Sequence, residues 1–184
     1  DYIGGVWKPL VDLISSGEGA YDSMFPSRRF PDILNMTIPE VVEFQKRNQI
    51  GRSAAIGRGQ FLYPEGVGKL AGLPSDALFS PSNQNKMIVA LIERKRSGRQ
   101  WLEGRISDEQ FSEQLAREWG ALKSASGYVL PNNTGSIGFD EIKNSLQQVR
   151  QLMKQDPTFG TGMPSNYEGG HRGTPTKKKF LGLI

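Results

Sequence analysis

The residue best placed for chemistry is Glu18, a carboxyl group between Gly17 and Gly19. It follows apolar residues at helical spacing, so the sequence predicts a helix over residues 5–16 that stops at Gly17. A carboxyl group held against an apolar helix end has a raised pKa, which a general acid needs near neutral pH. The absence of a side chain at Gly19 would let a large ligand come close. The alternative interpretation is a solvated glutamate in a turn.

The sequence contains few residues that are suited to other catalytic chemistries. It contains no cysteine, which excludes disulfides, thiolate metal sites and cysteine nucleophiles. The single histidine, His171, lies in a glycine-rich stretch near the end. Neither a metal-binding motif nor a Ser-His-Asp triad fits around it. We therefore expect no metal site and no cofactor.

Cleavage of a glycoside by two carboxyl groups would require a partner for Glu18. Asp22, Asp32 and Glu40 are the carboxylates of the irregular segment that follows. Their spacing does not single one out, and we retain Asp22 and Asp32 as candidates for a second carboxylate.

Three tyrosines are candidates for lining a groove. Tyr21, Tyr63 and Tyr128 fall in loop-like stretches of the sequence. Trp101 and Trp119 instead fit helical patterns and are expected in the core. A purely structural role is the alternative for each tyrosine, because tyrosine is commonly part-buried.

Apolar periodicity and capping residues predict the elements that must position these side chains. The predicted helices cover residues 5–16, 38–48, 64–70, 82–97, 108–123 and 139–155. The glycine-rich residues 51–63 favour a short strand or hairpin. We therefore expect a mostly helical α+β fold, with a cleft between a helical lobe and a small β-containing lobe.

Length and charge indicate how the chain is organised. Its 184 residues suggest one domain, over 1–155, followed by a basic, Gly- and Pro-rich tail over 156–184. Residues 154–184 hold five basic and two acidic residues, which is +3 of the net +4. The near-neutral remainder argues against nucleic acid as a specific partner. No apolar stretch is long enough for a membrane span.

Five segments of the sequence, in the same order, resemble segments of a known protein family. They are residues 13–19 around the glutamate, 37–45 with Thr-Ile-Pro-Glu-Val-Val, 53–61 with Gly-Arg-Gly-Gln, 79–85 with Phe-Ser-Pro, and 115–128 with Arg-Glu-Trp-Gly. This set resembles the lambda-type phage endolysins, a lysozyme-like family of peptidoglycan-cleaving enzymes. Two positions depart from that family: Gly17 replaces a frequent Ser, and Gly59 replaces a Tyr.

The resemblance implies a lysozyme-like fold and a lytic transglycosylase. In that chemistry one glutamate, here Glu18, protonates the oxygen of the MurNAc-GlcNAc β-1,4 bond and then acts as base. The 6-hydroxyl of the sugar attacks the anomeric carbon and leaves a 1,6-anhydro end. The resemblance also places Gln60 in the cleft as a hydrogen-bond donor to substrate, with Tyr128 as a further binding residue. Bracing the β-like segment is the alternative role of Gln60, and hydrolysis is the alternative outcome.

The resemblance further implies a phage-encoded enzyme, either an endolysin or a virion-associated lysozyme. It would act on the periplasmic cell wall from the virion or from the host cytoplasm. The expected partners are peptidoglycan glycan strands and, through residues 156–184, phage structural proteins. The lack of an initial Met favours a processed part of a larger virion protein. The alternative is an inactive lysozyme-like module of a virion, docked through its tail.

Overall fold

The chain is mostly helical with one small sheet. A computed structural model describes residues 1–156, and residues 157–184 of the predicted tail lie outside the described residues. The described part holds seven α-helices and a two-stranded antiparallel sheet, which confirms a mostly helical α+β composition. The helices are α1 (Lys8–Glu18), α2 (Ile38–Asn48), α3 (Pro64–Leu70), α4 (Pro81–Ala90), α5 (Gly98–Leu102), α6 (Asp108–Ala116) and α7 (Phe139–Gln155). The strands are β1 (Ser23–Met24) and β2 (Arg28–Arg29).

Local capping explains why several helices begin where the sequence predicts. At α2, the Thr37 hydroxyl accepts a hydrogen bond from the Glu40 backbone N–H at 3.3 Å, and the Glu40 carboxylate accepts one from the Thr37 N–H at 3.0 Å. This reciprocal pair satisfies two backbone donors that the helix itself leaves open. The predicted bounds of α2, α3 and α7 are confirmed.

The first helix is longer than predicted. A 3-10 turn over Gly5–Trp7 precedes α1, and α1 continues through Gly17 to Glu18. The predicted stop at Gly17 was wrong because this glycine keeps a helical backbone and is used for close packing, as described below. The Gly19 N–H closes the last turn on the Ser15 carbonyl at 3.1 Å.

The sixth helix is shorter than predicted. It ends at Ala116, and not at residue 123, although Trp119 and Leu122 continue the apolar spacing. Both side chains are buried outside a helix, Trp119 after the end of α6 and Leu122 at a bridge to Ile137. The Trp119 indole N–H donates to the Gly59 carbonyl at 3.2 Å, which ties this turn to the glycine-rich loop. Apolar spacing alone does not distinguish such a turn from a further helical turn.

Two more boundaries differ from the predicted helix over 82–97. The α-helix α4 gives way at Leu91 to a π-helical turn over Leu91–Lys95. Ser97 then has a positive φ of 67°, which separates this turn from the short helix α5. The sequence pattern did not predict α5.

The β structure lies nearer the N-terminus than predicted. The pairs Ser23–Arg29 and Met24–Arg28 join β1 and β2 into a hairpin, in a stretch that the sequence marks only as irregular. Residues 51–63 form isolated bridges, such as Ile56 with Phe61, and no extended strand. One bridge joins Met24 to Ile56, so the hairpin rests on the glycine-rich loop.

One apolar core holds these elements together. The helix α1 packs against α7, so the beginning and the end of the described chain meet. Trp7, Trp101 and Phe111 form an aromatic cluster with ring centroids 5.4–6.0 Å apart. Such fully buried rings contribute most per residue to the hydrophobic stabilisation. Within residues 1–156, no helix is both long and apolar enough to cross a bilayer.

Candidate active site

Glu18 is the last residue of the core helix α1, and its carboxyl group is only partly exposed. The Ala121 backbone N–H donates a hydrogen bond to Glu18 Oε2 at 3.1 Å. Ala121 lies in the turn that follows α6, about a hundred residues further along the chain. The backbone of a distant segment therefore fixes the position of this carboxyl group.

Burial controls the acidity of Glu18. Loss of water around the carboxylate raises the pKa of Glu18 to about 7. The Ala121 N–H opposes this rise because it stabilises the charged form, and the negative charge of Glu118 adds to it. Near neutral pH both protonation states are populated. A carboxyl group with this pKa can donate a proton and take one back, as acid–base catalysis requires.

Gly17 allows the contact between Glu18 and Ala121. A Cβ atom at Gly17 would lie 2.5 Å from the Ala121 Cβ and 2.8 Å from the Ile137 Cδ1, both much closer than real contacts. The missing side chain thus lets the turn after α6 approach the end of α1. The glycine at position 17 therefore has a structural reason.

A pocket of about 390 Å³ opens beside Glu18. It lies between the end of α1, the β1–β2 hairpin and the loop that carries Gln60. The residues that line it are Glu18, Gly19, Ala20, Ser23, Met24, Phe25, Ser27, Arg29 and Gln60. The pocket gives a ligand direct access to the carboxyl group.

Gln60 lines this pocket and also braces its wall. Its Nε2 donates to the Gly57 carbonyl at 2.8 Å and to the Ser23 hydroxyl at 3.2 Å. Both amide hydrogens therefore have partners inside the protein, which favours the bracing role for this nitrogen. Its backbone φ of 47° belongs to the tight turn at this point.

Gly19 lines the pocket, and its lack of a side chain also serves protein packing. A Cβ atom at Gly19 would lie 2.4 Å from the Ser23 hydroxyl oxygen and 3.1 Å from Gln60 Nε2. Any larger side chain at this position would therefore collide with these two side chains.

Neither candidate for a second carboxylate lines the pocket. Asp22 is buried, and its carboxylate accepts a hydrogen bond from Arg29 Nε at 2.5 Å. Asp32 is exposed in the 3-10 turn Pro31–Asn35. Glu18 is thus the sole carboxyl group lining this pocket in the described part of the chain.

The three predicted tyrosines also lie away from the pocket lining. The Tyr21 hydroxyl accepts a hydrogen bond from Arg58 Nη1 at 3.0 Å, and the guanidinium stacks on its ring. The Tyr128 ring packs under the Arg117 guanidinium at 4.8 Å. Tyr63 is 77% exposed before α3. These contacts favour structural roles for Tyr21 and Tyr128.

The hairpin supplies pocket residues that the sequence reading missed. Phe25 offers an aromatic surface, and Arg29 offers a positive charge. The available signal was the pair Pro26-Ser27, which is typical of a turn between two short extended runs. Strands of two residues carry too little periodicity to be recognised by alternation.

Within residues 1–156, one other buried carboxyl group has a raised pKa. Burial raises the pKa of Glu93, whose side chain is 2% exposed. Its Oε2 accepts a hydrogen bond from the Trp7 indole N–H at 3.3 Å, and Arg99 lies 3.8 Å from Oε1. These contacts join the aromatic cluster to the π-helical turn, so Glu93 has a structural role.

No group of three or more His, Cys, Asp or Glu residues within 1–156 is arranged to hold a metal ion. No protein-family model, no curated protein and no solved structure gives a significant match to this chain.

Proposed function

We propose that this chain is a peptidoglycan-cleaving enzyme with a lysozyme-like fold and Glu18 as its acid and base. The observation that carries this proposal is the part-buried Glu18 carboxyl group, with a pKa of about 7, beside a pocket of about 390 Å³. The five segments that resemble the lambda-type endolysins support the assignment of the substrate.

The reaction divides into two proton transfers at one carboxyl group. Protonated Glu18 donates its proton to the bridging oxygen of the MurNAc-GlcNAc β-1,4 bond, and the bond from the anomeric carbon to that oxygen breaks. The carboxylate then accepts the proton of the MurNAc 6-hydroxyl. The freed oxygen bonds to the anomeric carbon and forms the 1,6-anhydro ring, so water is not consumed.

The surroundings of Glu18 support this single-residue mechanism. The Ala121 N–H stabilises the carboxylate formed after the first transfer. Asp22 is engaged with Arg29, and Asp32 is exposed away from the pocket lining. A retaining or inverting hydrolase would use a second carboxyl group on the other side of the bond. Transglycosylation is therefore favoured over hydrolysis.

The biological setting follows from the substrate and from the resemblance. We infer a phage-encoded enzyme that acts on the periplasmic cell wall, either from the virion or from the host cytoplasm. Glycan strands are the partner of the pocket. Phage structural proteins are proposed partners of residues 156–184.

The Glu18→Gln variant tests the catalytic assignment. Glutamine keeps the size and the acceptor for the Ala121 N–H but cannot transfer a proton. We expect loss of at least about a hundredfold in the rate of cell-wall lysis, followed as loss of turbidity of purified walls, because general acid–base catalysis contributes about 10²–10⁴-fold. Lysis at the wild-type rate would refute the role of Glu18.

The same assay separates the enzyme from the alternative of an inactive virion module. A folded wild-type chain that leaves the walls of several hosts intact, and binds a phage structural protein, would favour that alternative.

A further inference from the structure

Arg29 is the only basic residue that lines the Glu18 pocket within the described residues. It belongs to β2, and its side chain is 63% exposed, so a ligand in the pocket can reach it. Apart from Glu18, the other lining residues are uncharged. Because Glu18 is only partly ionised near neutral pH, the guanidinium is the main full charge at this surface.

Asp22 holds Arg29 in one orientation. The Asp22 side chain is 12% exposed, and it accepts the hydrogen bond of Arg29 Nε at 2.5 Å. Residues 1–156 place no hydrogen-bond acceptor on the two terminal Nη nitrogens of Arg29. The guanidinium is thus anchored through its Nε, while its terminal nitrogens remain for a ligand. Two parallel N–H donors match the geometry of a carboxylate.

Peptidoglycan differs from neutral glycans in its carboxylates. They occur on the stem peptides and on the lactyl ethers of sugars that carry no peptide. A chitin oligosaccharide has neither group. An oriented arginine beside the catalytic carboxyl group therefore distinguishes these polymers by charge.

We propose that Arg29, oriented by Asp22, binds a carboxylate of the peptidoglycan strand and so positions the glycan against Glu18. The inference rests on the proposed function and names its determinant of specificity. Arg29 makes no proton transfer in this scheme, so we expect its removal to weaken the binding of the strand.

The test measures binding in the full chain with Glu18→Gln, which holds the polymer uncut. Co-sedimentation with insoluble peptidoglycan gives the Kd for this variant, for Glu18→Gln/Arg29→Gln and for the control Glu18→Gln/Arg47→Gln. Arg47 is exposed near the end of α2, and its substitution by Gln removes the same charge as the substitution of Arg29. We expect the Arg29 change to raise Kd about three- to tenfold, as for a partly exposed charge-assisted hydrogen bond, and the control to leave it unchanged. Added salt should shrink the difference.

Two further ligands identify the carboxylate. Glycan strands stripped of peptides by an amidase carry lactyl carboxylates alone, whereas chitin oligosaccharides carry none. An Arg29 effect that disappears on stripped strands assigns the stem peptide, and one that persists or grows assigns the lactyl group. On chitin the two variants should bind equally.

Equal Kd values with and without Arg29 on both anionic polymers would overturn the inference. So would an equal loss on chitin, which would mean a structural role. Cleavage by the wild-type chain is scored separately, so a chain that cuts peptidoglycan without using Arg29 refutes this inference and leaves the proposed function standing. Arg29→Lys, which keeps the charge, should recover part of the affinity.

Discussion

The pKa of Glu18 is set by the burial of its carboxyl group, by the Ala121 N–H and by the charge of Glu118. Burial has the largest effect, because the loss of water around a carboxylate costs more free energy than one neutral hydrogen bond returns. The folded protein therefore holds a proton on Glu18 at pH values where the unfolded chain has released it. This difference has a measurable consequence for stability.

Stability should fall as pH rises from about 4.5 to about 7, because the pKa of Glu18 is raised from 4.5 to about 7 on folding. The Glu18→Gln variant lacks this titration. We expect its free energy of unfolding, relative to the wild type, to increase by about 2 kcal/mol between pH 5 and pH 8. Urea unfolding of both proteins at the two pH values measures this, and a difference that does not depend on pH would contradict the buried carboxyl group.

Glu118 acts on Glu18 through charge alone. Its carboxylate pairs with Arg96 at 2.8 Å and with Lys95 at 3.0 Å. Removing it in Glu118→Gln lowers the pKa of Glu18 and leaves two cations behind. The alkaline fall of cell-wall cleavage should then move to lower pH, since the acid form is lost earlier.

A pH profile of cleavage measures that shift. Glu109→Gln removes an exposed charge from α6, the helix that precedes Glu118, and is the matched control. If Glu118→Gln leaves the alkaline limb where it is in the wild type, the charge coupling is absent.

At the scale of elements, the site depends on how closely the turn after α6 approaches the end of α1. Gly17→Ala places a Cβ atom 2.5 Å from the Ala121 Cβ, so the turn must move away. We expect a loss of about 1–3 kcal/mol in the free energy of unfolding, as for other overpacked sites. Cleavage should fall at least about tenfold, because the Ala121 N–H no longer reaches Glu18.

Gly66→Ala is the control for that prediction. Gly66 lies inside α3, and no atom lies within 4 Å of a Cβ placed there. Alanine should stabilise this helix by up to about 1 kcal/mol and leave cleavage unchanged. Thermal unfolding and the rate of wall lysis are compared between Gly17→Ala and Gly66→Ala. Equal stabilities and equal lysis rates of the two variants would mean that Gly17 has no special packing role.

The bounds of a helix could be predicted from the sequence where neighbouring residues set them, and could not where distant contacts set them. The helix α2 begins at a local capping box, and α7 carries a long apolar stripe, so both could be bounded from neighbouring residues. The end of α1 depends on Ala121 and Ile137, which are far away in sequence. The end of α6 depends on Trp119 reaching the glycine-rich loop. Contacts of this kind leave no local pattern.

At the scale of the whole molecule, the catalytic candidate and its pocket differ in how far the sequence could predict them. Glu18 stands at a helix end among glycines, which is a local signal. The pocket is assembled from the hairpin around Phe25 and Arg29, the loop at Gln60 and the end of α1. Only the folded chain brings these parts together. The predicted groove residue Tyr21 does not line the pocket and instead forms a hydrogen bond with Arg58.

The central claim is that this chain cuts glycan strands through Glu18 acting alone. Mass spectrometry of the fragments released from purified peptidoglycan tests it most directly, with the wild-type chain and Glu18→Gln compared side by side. We expect fragments ending in 1,6-anhydro sugars from the wild type and none from the variant. Release of reducing ends would contradict the single-carboxyl mechanism, and equal release by both proteins, or by neither, would contradict the claim itself.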